Sequence, residues 1–129
     1  MQKTFVRGTW QQKRAFSPAV ITADASKTIY VAGHTGLTAD DGRDLSGDFD
    51  AQCRQTFRNI EKTLAEAGAA LADLVTMTVF LIDARHTTRM TEIRTEIFGK
   101  DFPASAAITV AGFAQPSMMI EIQGIAVIP

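Results

Sequence analysis

The feature that most limits the fold is an almost uninterrupted apolar run, LVTMTVFLI, at residues 74–82. Its length suits a strand and falls far short of the roughly 18 apolar residues that a membrane-spanning helix needs. Hydrophobic side chains on both sides of a strand indicate burial on both faces, within the chain or in an assembly. Other elements or other copies of the chain must therefore cover it.

A helix is predicted before this strand, over residues 48–67. Ser46 or Asp48 can cap its start, and Gly68 supplies the left-handed residue that ends many helices. Charged side chains occupy the opposite face. The prediction depends on one apolar stripe at helical spacing: Cys53, Phe57, Ile60, Leu64 and Ala67.

A second helix is predicted over residues 84–98, where Met90, Ile93 and Ile97 share one face. Asp83 or Thr87 is its predicted cap, and Gly99 follows its end. The first three of the remaining strand segments are expected to form a small antiparallel meander. The strand segments are residues 3–7, 19–23, 28–33, 105–110 and 118–128.

The order β-β-β-α-β-α-β-β predicts an α+β fold in one domain over residues 1–129. Two strand-to-helix crossovers would pack both helices on one face of a mixed sheet. Since two helices can cover only one face, an apolar second face is best explained by an oligomer. The chain is therefore expected to self-associate.

Composition excludes several classes of function. With 13 basic and 14 acidic side chains, the chain lacks the cationic excess that nucleic-acid or anionic-membrane binding requires. The N-terminus has no apolar signal region, so a cytoplasmic protein is expected. A single cysteine excludes an internal disulfide, and the two histidines lack ligand partners at zinc spacing. No nucleotide, dinucleotide, zincin or hydrolase-elbow motif is present.

Glu121 is the main anomaly, because it interrupts the apolar strand MMIEI. A buried carboxylate needs a partner, solvent or a function. If Glu121 lines an apolar pocket, it can serve as a general base or acid near neutral pH. If it lies on the exposed face of an edge strand, it needs no function. The sequence leaves both interpretations open.

His34, Arg14 and Cys53 are weaker candidates. His34 follows a strand and could bind a ligand or move a proton, although many turn histidines only bond a carbonyl. Arg14 could hold a carboxylate with two hydrogen bonds or be a solvated loop charge. Cys53 lies on the apolar stripe, where a small hydrophobic core residue is expected.

Short matches to a known family run in order from about residue 14 to residue 128. Together they resemble the Rid superfamily, the reactive intermediate deaminases also called the YjgF family. The matching segments are Phe16-Ser17-Pro18, Ile29-Tyr30-Val31-Ala32-Gly33, Gln52-Cys53-Arg54-Gln55-Thr56, Asn59-Ile60, Leu64-Ala65-Glu66-Ala67-Gly68, Asp73-Leu74-Val75, Thr78-Val79-Phe80-Leu81, Phe102-Pro103-Ala104, Ile120-Glu121-Ile122 and Ala126-Val127.

The resemblance implies a chorismate-mutase-like fold that forms homotrimers, with a ligand cleft at each subunit boundary. It also implies hydrolysis of 2-imino or enamine acids to 2-keto acids and ammonia, without cofactor or metal. In that family a glutamate of the last strand orients the water, which assigns this role to Glu121. An arginine directly after Pro-Ala holds the substrate carboxylate, but this chain has Ser105 at that position.

The loss of this arginine predicts a cleft that is more apolar and less cationic. Ala107 lies two residues after Ser105 and adds no polar group to the same strand face. Gly33, Ser105 and Ala107 are predicted to line the cleft, and His34 or Arg14 is the predicted replacement for the missing charge. Ala19 and Ala32 also stand where the family often has Tyr and Ser.

Three functions are compatible with these residues. The first is hydrolysis of a small imine or enamine that differs from standard 2-imino acids, in a homotrimer that binds neither nucleic acid nor membranes. The second is a binding or regulatory trimer that keeps the cleft without catalysis. The third, RNA cleavage, is least favoured because the charge is balanced and no paired His or Lys base is apparent.

Overall fold

The computed structural model describes residues 1–8 and 15–129. The predicted strands and helices are present in the predicted order, with short 3-10 turns before β4 and before α2. The elements are β1 Gln2–Val6, β2 Ala19–Ala23, β3 Lys27–His34, α1 Phe49–Glu66, β4 Leu74–Leu81, α2 Thr87–Phe98, β5 Ala104–Thr109 and β6 Ile120–Ile128.

The strands form two separate sheets. The larger sheet has the order β3-β6-β4-β5; β6 is antiparallel to β3 and β4, and β5 is parallel to β4. The predicted mixed α+β sheet is therefore confirmed. The predicted meander of the first three strands is wrong, because β1 and β2 pair only with each other. Strand β3 joins β6 instead, since Ile29 and Val31 pack into the core beneath the helices.

The helices cover one face of the larger sheet. Asp48 caps α1 by accepting a hydrogen bond from the Ala51 amide at 3.0 Å, and Gly68 follows the helix at a φ of 80°. The predicted stripe is buried from Cys53 to Leu64, whereas Ala67 is exposed at the helix end. This stripe packs with the inward-facing side chains of the sheet: Val31, Met77, Val79, Leu81, Ile120 and Ile122.

The other sheet face carries partly exposed and apolar side chains. Along β4 the inward residues Met77, Val79 and Leu81 are buried, while the alternate residues are only half-buried. Tyr30 and Ile108 on this open face are 78% and 45% exposed. The described part of the chain thus buries one face of β4 and leaves the second face partly exposed. No helix in that part has the length and apolarity to cross a membrane.

Candidate active site

Glu121 lies on the open face of a central strand. Its neighbours Ile120 and Ile122 are both completely buried, so the alternation of a strand directs Glu121 to the opposite face. In the register of the sheet it is aligned with Phe80 and, through it, with Ile108. Because β6 lies between β3 and β4, it is not an edge strand. The Glu121 carboxylate is half-buried among apolar side chains.

The Glu121 carboxylate has no ion pair or hydrogen bond with any residue that the structure describes. It leans over Gly33, where β3 has a register irregularity between Val31 and His34. A Cβ atom placed on Gly33 would lie 2.6 Å from Glu121 Oε2 and 2.9 Å from its carboxyl carbon. Glycine at position 33 thus provides the space that the carboxylate occupies, and the two predicted residues are brought together.

His34 is directed away from Glu121, to the helix side of the sheet. Its Nδ1 lies 2.7 Å from the Ala32 carbonyl oxygen, and its Nε2 lies 2.7 Å from Thr63 Oγ1 on α1. Both ring nitrogens are thus engaged within the chain. A ligand-binding role for His34 stays a prediction, and the prediction for Arg14 lies outside the described residues.

Ser105 and Ala107 line a cleft on the helix side of β5. They are aligned with the buried Met77 and Val79 of β4. The cleft has a volume of about 340 Å³. The described residues that line it are Ala15, Phe16, Thr87, Met90, Thr91, Arg94, Ser105, Ala106 and Ala107.

Ser17 holds one wall of this cleft in place through two hydrogen bonds. The Ser17 amide donates to the Pro103 carbonyl oxygen at 3.1 Å, and its hydroxyl donates to the Phe102 carbonyl oxygen at 2.6 Å. These bonds attach the segment at residues 15–17 to the entry of β5. These bonds join two segments that are far apart in sequence. Phe16-Ser17-Pro18 and Phe102-Pro103-Ala104 thus lie together beside Ser105.

The cleft contains a cation that sequence analysis missed. Arg94 of α2 is 3% exposed, and its Nη1 donates to Ser105 Oγ at 2.7 Å. Burial lowers the pKa of Arg94 to about 10, so the guanidinium still carries its charge at neutral pH. The prediction of a less cationic cleft considered only the strand arginine that Ser105 replaces, whereas Arg94 of the helix also reaches this position.

The signal for Arg94 was present in the spacing of α2. Arg94 follows Met90 by four positions and Ile93 by one, so it belongs to the face that the helix buries. A charged residue on that face requires a partner or a function, as at Glu121. The prediction of the helix used only the apolar members of the face.

Cys53 is a core residue, as predicted. Its side chain is completely buried, and burial raises the pKa of the thiol to about 12. The reactive thiolate is thus negligible at neutral pH. Among the described residues, no three His, Cys, Asp or Glu side chains come together in a way that could hold a metal ion.

Comparisons with known proteins agree with this architecture. A family model described as Endoribonuclease L-PSP matches residues 10–128. A crystal structure titled as YyfB of the conserved Rid protein family, from Yersinia pestis, superposes with a TM-score of 0.82 at 25% identity, covering 99% of this chain and all of that one. The chain belongs to the Rid family.

Relatives of this Rid protein include one with a named activity. A RutC family protein of Pyrococcus abyssi is 36% identical over 98 residues, which are 76% of each chain. The human protein named 2-iminobutanoate/2-iminopropanoate deaminase is 32% identical over 112 residues, covering 87% of this chain and 79% of the human one. The family resemblance read from short segments is thus confirmed.

The Rid chain presents its two groups of predicted site residues on opposite faces of one sheet. Glu121 and Gly33 lie on the open face, whereas Ser105 contacts Arg94 beneath α2. Glu121 is aligned with Ile108, three residues along β5 from Ser105. One small ligand cannot contact both groups within a single protomer.

Proposed function

We propose that the protein hydrolyses a small, reactive imine or enamine to a carbonyl compound and ammonia. The observation that carries the proposal is the unpartnered carboxylate of Glu121, half-buried beside Gly33 on an apolar face. A carboxylate in this setting can accept a proton from water with little competition from other groups. The deaminase named among the relatives supports the same chemistry.

The reaction needs one positioned water and one group that moves protons. Water adds to the carbon of the protonated C=N bond while Glu121 accepts a proton from the water, and the C=N electron pair goes to nitrogen. The resulting carbinolamine carries its hydroxyl and amine on one carbon. Glu121 passes this proton to the amine, and the C–N bond breaks as an electron pair of the hydroxyl oxygen forms the C=O bond. The hydroxyl proton returns to the Glu121 carboxylate and leaves with the released ammonia as ammonium.

The opposite orientation of Glu121 and Ser105 supports a site shared by two protomers. The open face also exposes Tyr30 and Ile108, which is unusual for a face that only meets solvent. We therefore place the reacting cleft at a boundary between copies of the chain, in a homotrimer. Each boundary would combine the carboxylate of one copy with the helix-side cleft of the next.

The decisive experiment measures the release of ammonia and pyruvate from 2-iminopropanoate, generated in situ by a dehydratase. Wild type is expected to accelerate hydrolysis above the uncatalysed rate. Glu121→Gln keeps the shape of the side chain but cannot accept a proton, so we expect its kcat/KM to be at least about 100-fold lower.

Glu66→Gln is the matched control, because Glu66 is exposed at the end of α1 and far from the sheet face. It should retain the wild-type rate. Equal rates for Glu121→Gln and wild type would contradict the role of the carboxylate. Binding without acceleration by wild type would point to the non-catalytic trimer instead, and turnover by a monomer in light scattering would exclude the shared site.

A second prediction concerns the space at Gly33. Its φ is not positive, so alanine is compatible with the backbone, but the added methyl would displace the Glu121 carboxylate. We expect Gly33→Ala to lower kcat/KM at least about tenfold, because small misplacements of a catalytic group are costly. Thermal unfolding should change little, since the flexible glutamate can move aside.

Gly112→Ala is the control for this substitution, because apart from its immediate chain neighbours no described residue has an atom within 4 Å of its Cβ position. Its rate and stability should match wild type. If Gly33→Ala keeps full activity while folding normally, the carboxylate does not act from the position it has in this structure.

A further inference from the structure

Among the described arginines, Arg94 is the one that is buried, and it has no acidic partner. Its Nη1 bonds only to the Ser105 hydroxyl, and its buried Nε has no hydrogen-bond partner. Arg58, by contrast, is exposed to solvent. The remaining described arginines form ion pairs: Arg7 with Asp101, Arg43 with Asp41, Arg54 with Glu96, Arg85 with Asp83, and Arg89 with Asp50.

A buried cation without an anion is costly to the folded chain. The walls around Arg94 offer methyl, phenyl and thioether groups from Phe16, Met90 and Ala107, which provide no charge. Among the described residues that line the cleft, the threonine hydroxyls at positions 87 and 91 are the other polar side chains. An entering anion would supply the charge that the protein itself leaves out.

The geometry suits a planar anion rather than a metal or a cation. A guanidinium offers several N–H donors in one plane, and carboxylates accept from two of them at once. The Ser105 hydroxyl accepts from Nη1 and so retains its own proton for donation. A volume of about 340 Å³ admits a small organic acid with a short apolar tail.

We propose that Arg94 and Ser105 form an anion-binding subsite of this cleft, which holds the carboxylate of a small 2-imino acid and of its 2-keto acid product. The identity of the acid rests on the proposed function, whereas the anion subsite rests on the contacts of Arg94. Arg94 thereby supplies the positive charge for carboxylate binding, which the serine at position 105 lacks. The apolar wall selects short aliphatic side chains.

The test measures binding of pyruvate and 2-oxobutanoate by calorimetry, with methyl pyruvate as an uncharged analogue. Wild type is expected to bind the two acids more tightly than the ester. Arg94→Met keeps a long side chain without charge and should weaken acid binding at least tenfold, with little effect on the ester. Arg58→Met, which removes an exposed arginine of α1, should bind as wild type does.

Ser105→Asp provides a second variant that is expected to fold at least as well as wild type. Its carboxylate would pair with Arg94 and occupy the subsite from within, so acid binding should be lost while thermal stability is kept or increased. Wild-type affinity for pyruvate in either Arg94→Met or Ser105→Asp would overturn the proposal. Absence of acid binding by wild type would overturn it as well.

Failure of the subsite and failure of the proposed function give different results. Binding of pyruvate that depends on Arg94, without hydrolysis of 2-iminopropanoate, keeps the subsite and rejects the deaminase. Hydrolysis that Arg94→Met leaves unchanged in KM keeps the deaminase and rejects the subsite.

Discussion

Gly36→Ala is expected to destabilise the protein by about 3 kcal/mol or more. A Cβ atom at Gly36 would lie 2.5 Å from the Gln52 carbonyl oxygen and 2.6 Å from the Thr56 amide nitrogen. Both are backbone atoms of α1, which cannot turn away as a side chain can. The helix must therefore move from the chain that leaves β3, which disrupts packing on both sides of the contact.

Urea unfolding at one fixed protein concentration would measure this effect, because the stability of the proposed homotrimer would depend on concentration. Gly112→Ala adds the same methyl group where nothing lies within 4 Å, and should change stability by less than about 0.5 kcal/mol. Equal stability of the two variants would mean that α1 does not approach residue 36 this closely. The contact matters for the site, since residue 36 follows the strand that carries Gly33.

The secondary structure could be predicted because its signals are local. The spacing of apolar residues in α1 fixes both the helix and the face that it buries. Its ends follow from side-chain and backbone chemistry at single positions, since Asp48 caps the first turn and Gly68 adopts a left-handed conformation. None of these signals depends on the rest of the fold.

The order of the strands could not be predicted in the same way. Strand β6, the last in sequence, lies between β3 and β4, and this arrangement depends on contacts between distant residues. One such contact is at Gly124, where a Cβ atom would lie 2.7 Å from the Thr76 carbonyl oxygen. A glycine in an apolar strand indicates some close approach but does not identify the neighbour. The prediction of a meander of the first three strands failed for the same reason, because β3 pairs with the distant β6.

The two charged residues of the candidate site show the same limit. Glu121 was recognisable because a carboxylate within an apolar strand is exceptional. Arg94 gave a weaker signal: its spacing places it on the face of α2 that carries Met90 and Ile93, but a charged residue in a helix is common, and α2 also carries Arg89, Glu92 and Glu96. Only the packing of α2 against β5 shows that this arginine is buried and reaches Ser105.

Gln52→Leu is expected to destabilise the protein by about 3–5 kcal/mol. The Gln52 side chain is 1% exposed, and its amide group satisfies three backbone groups at once. Its Nε2 donates to the carbonyl oxygens of Leu45 and Ser117 at 3.0 Å each, and its Oε1 accepts from the Met119 amide at 2.9 Å. Leucine has a similar size but leaves the Ser117 carbonyl and the Met119 amide without a partner, while the Leu45 carbonyl keeps only its bond from the Asp48 amide.

Denaturant unfolding of Gln52→Leu against Gln115→Leu would isolate the hydrogen bonds. Gln115 lies exposed in the loop before β6, so its replacement should change stability by less than about 0.5 kcal/mol. A Gln52→Leu protein as stable as wild type would show that apolar packing alone fixes this loop. We expect the opposite, together with slower imine hydrolysis in the folded variant, because Met119 precedes Glu121 by only two residues. A loosened entry to β6 allows the carboxylate to move from its place over Gly33.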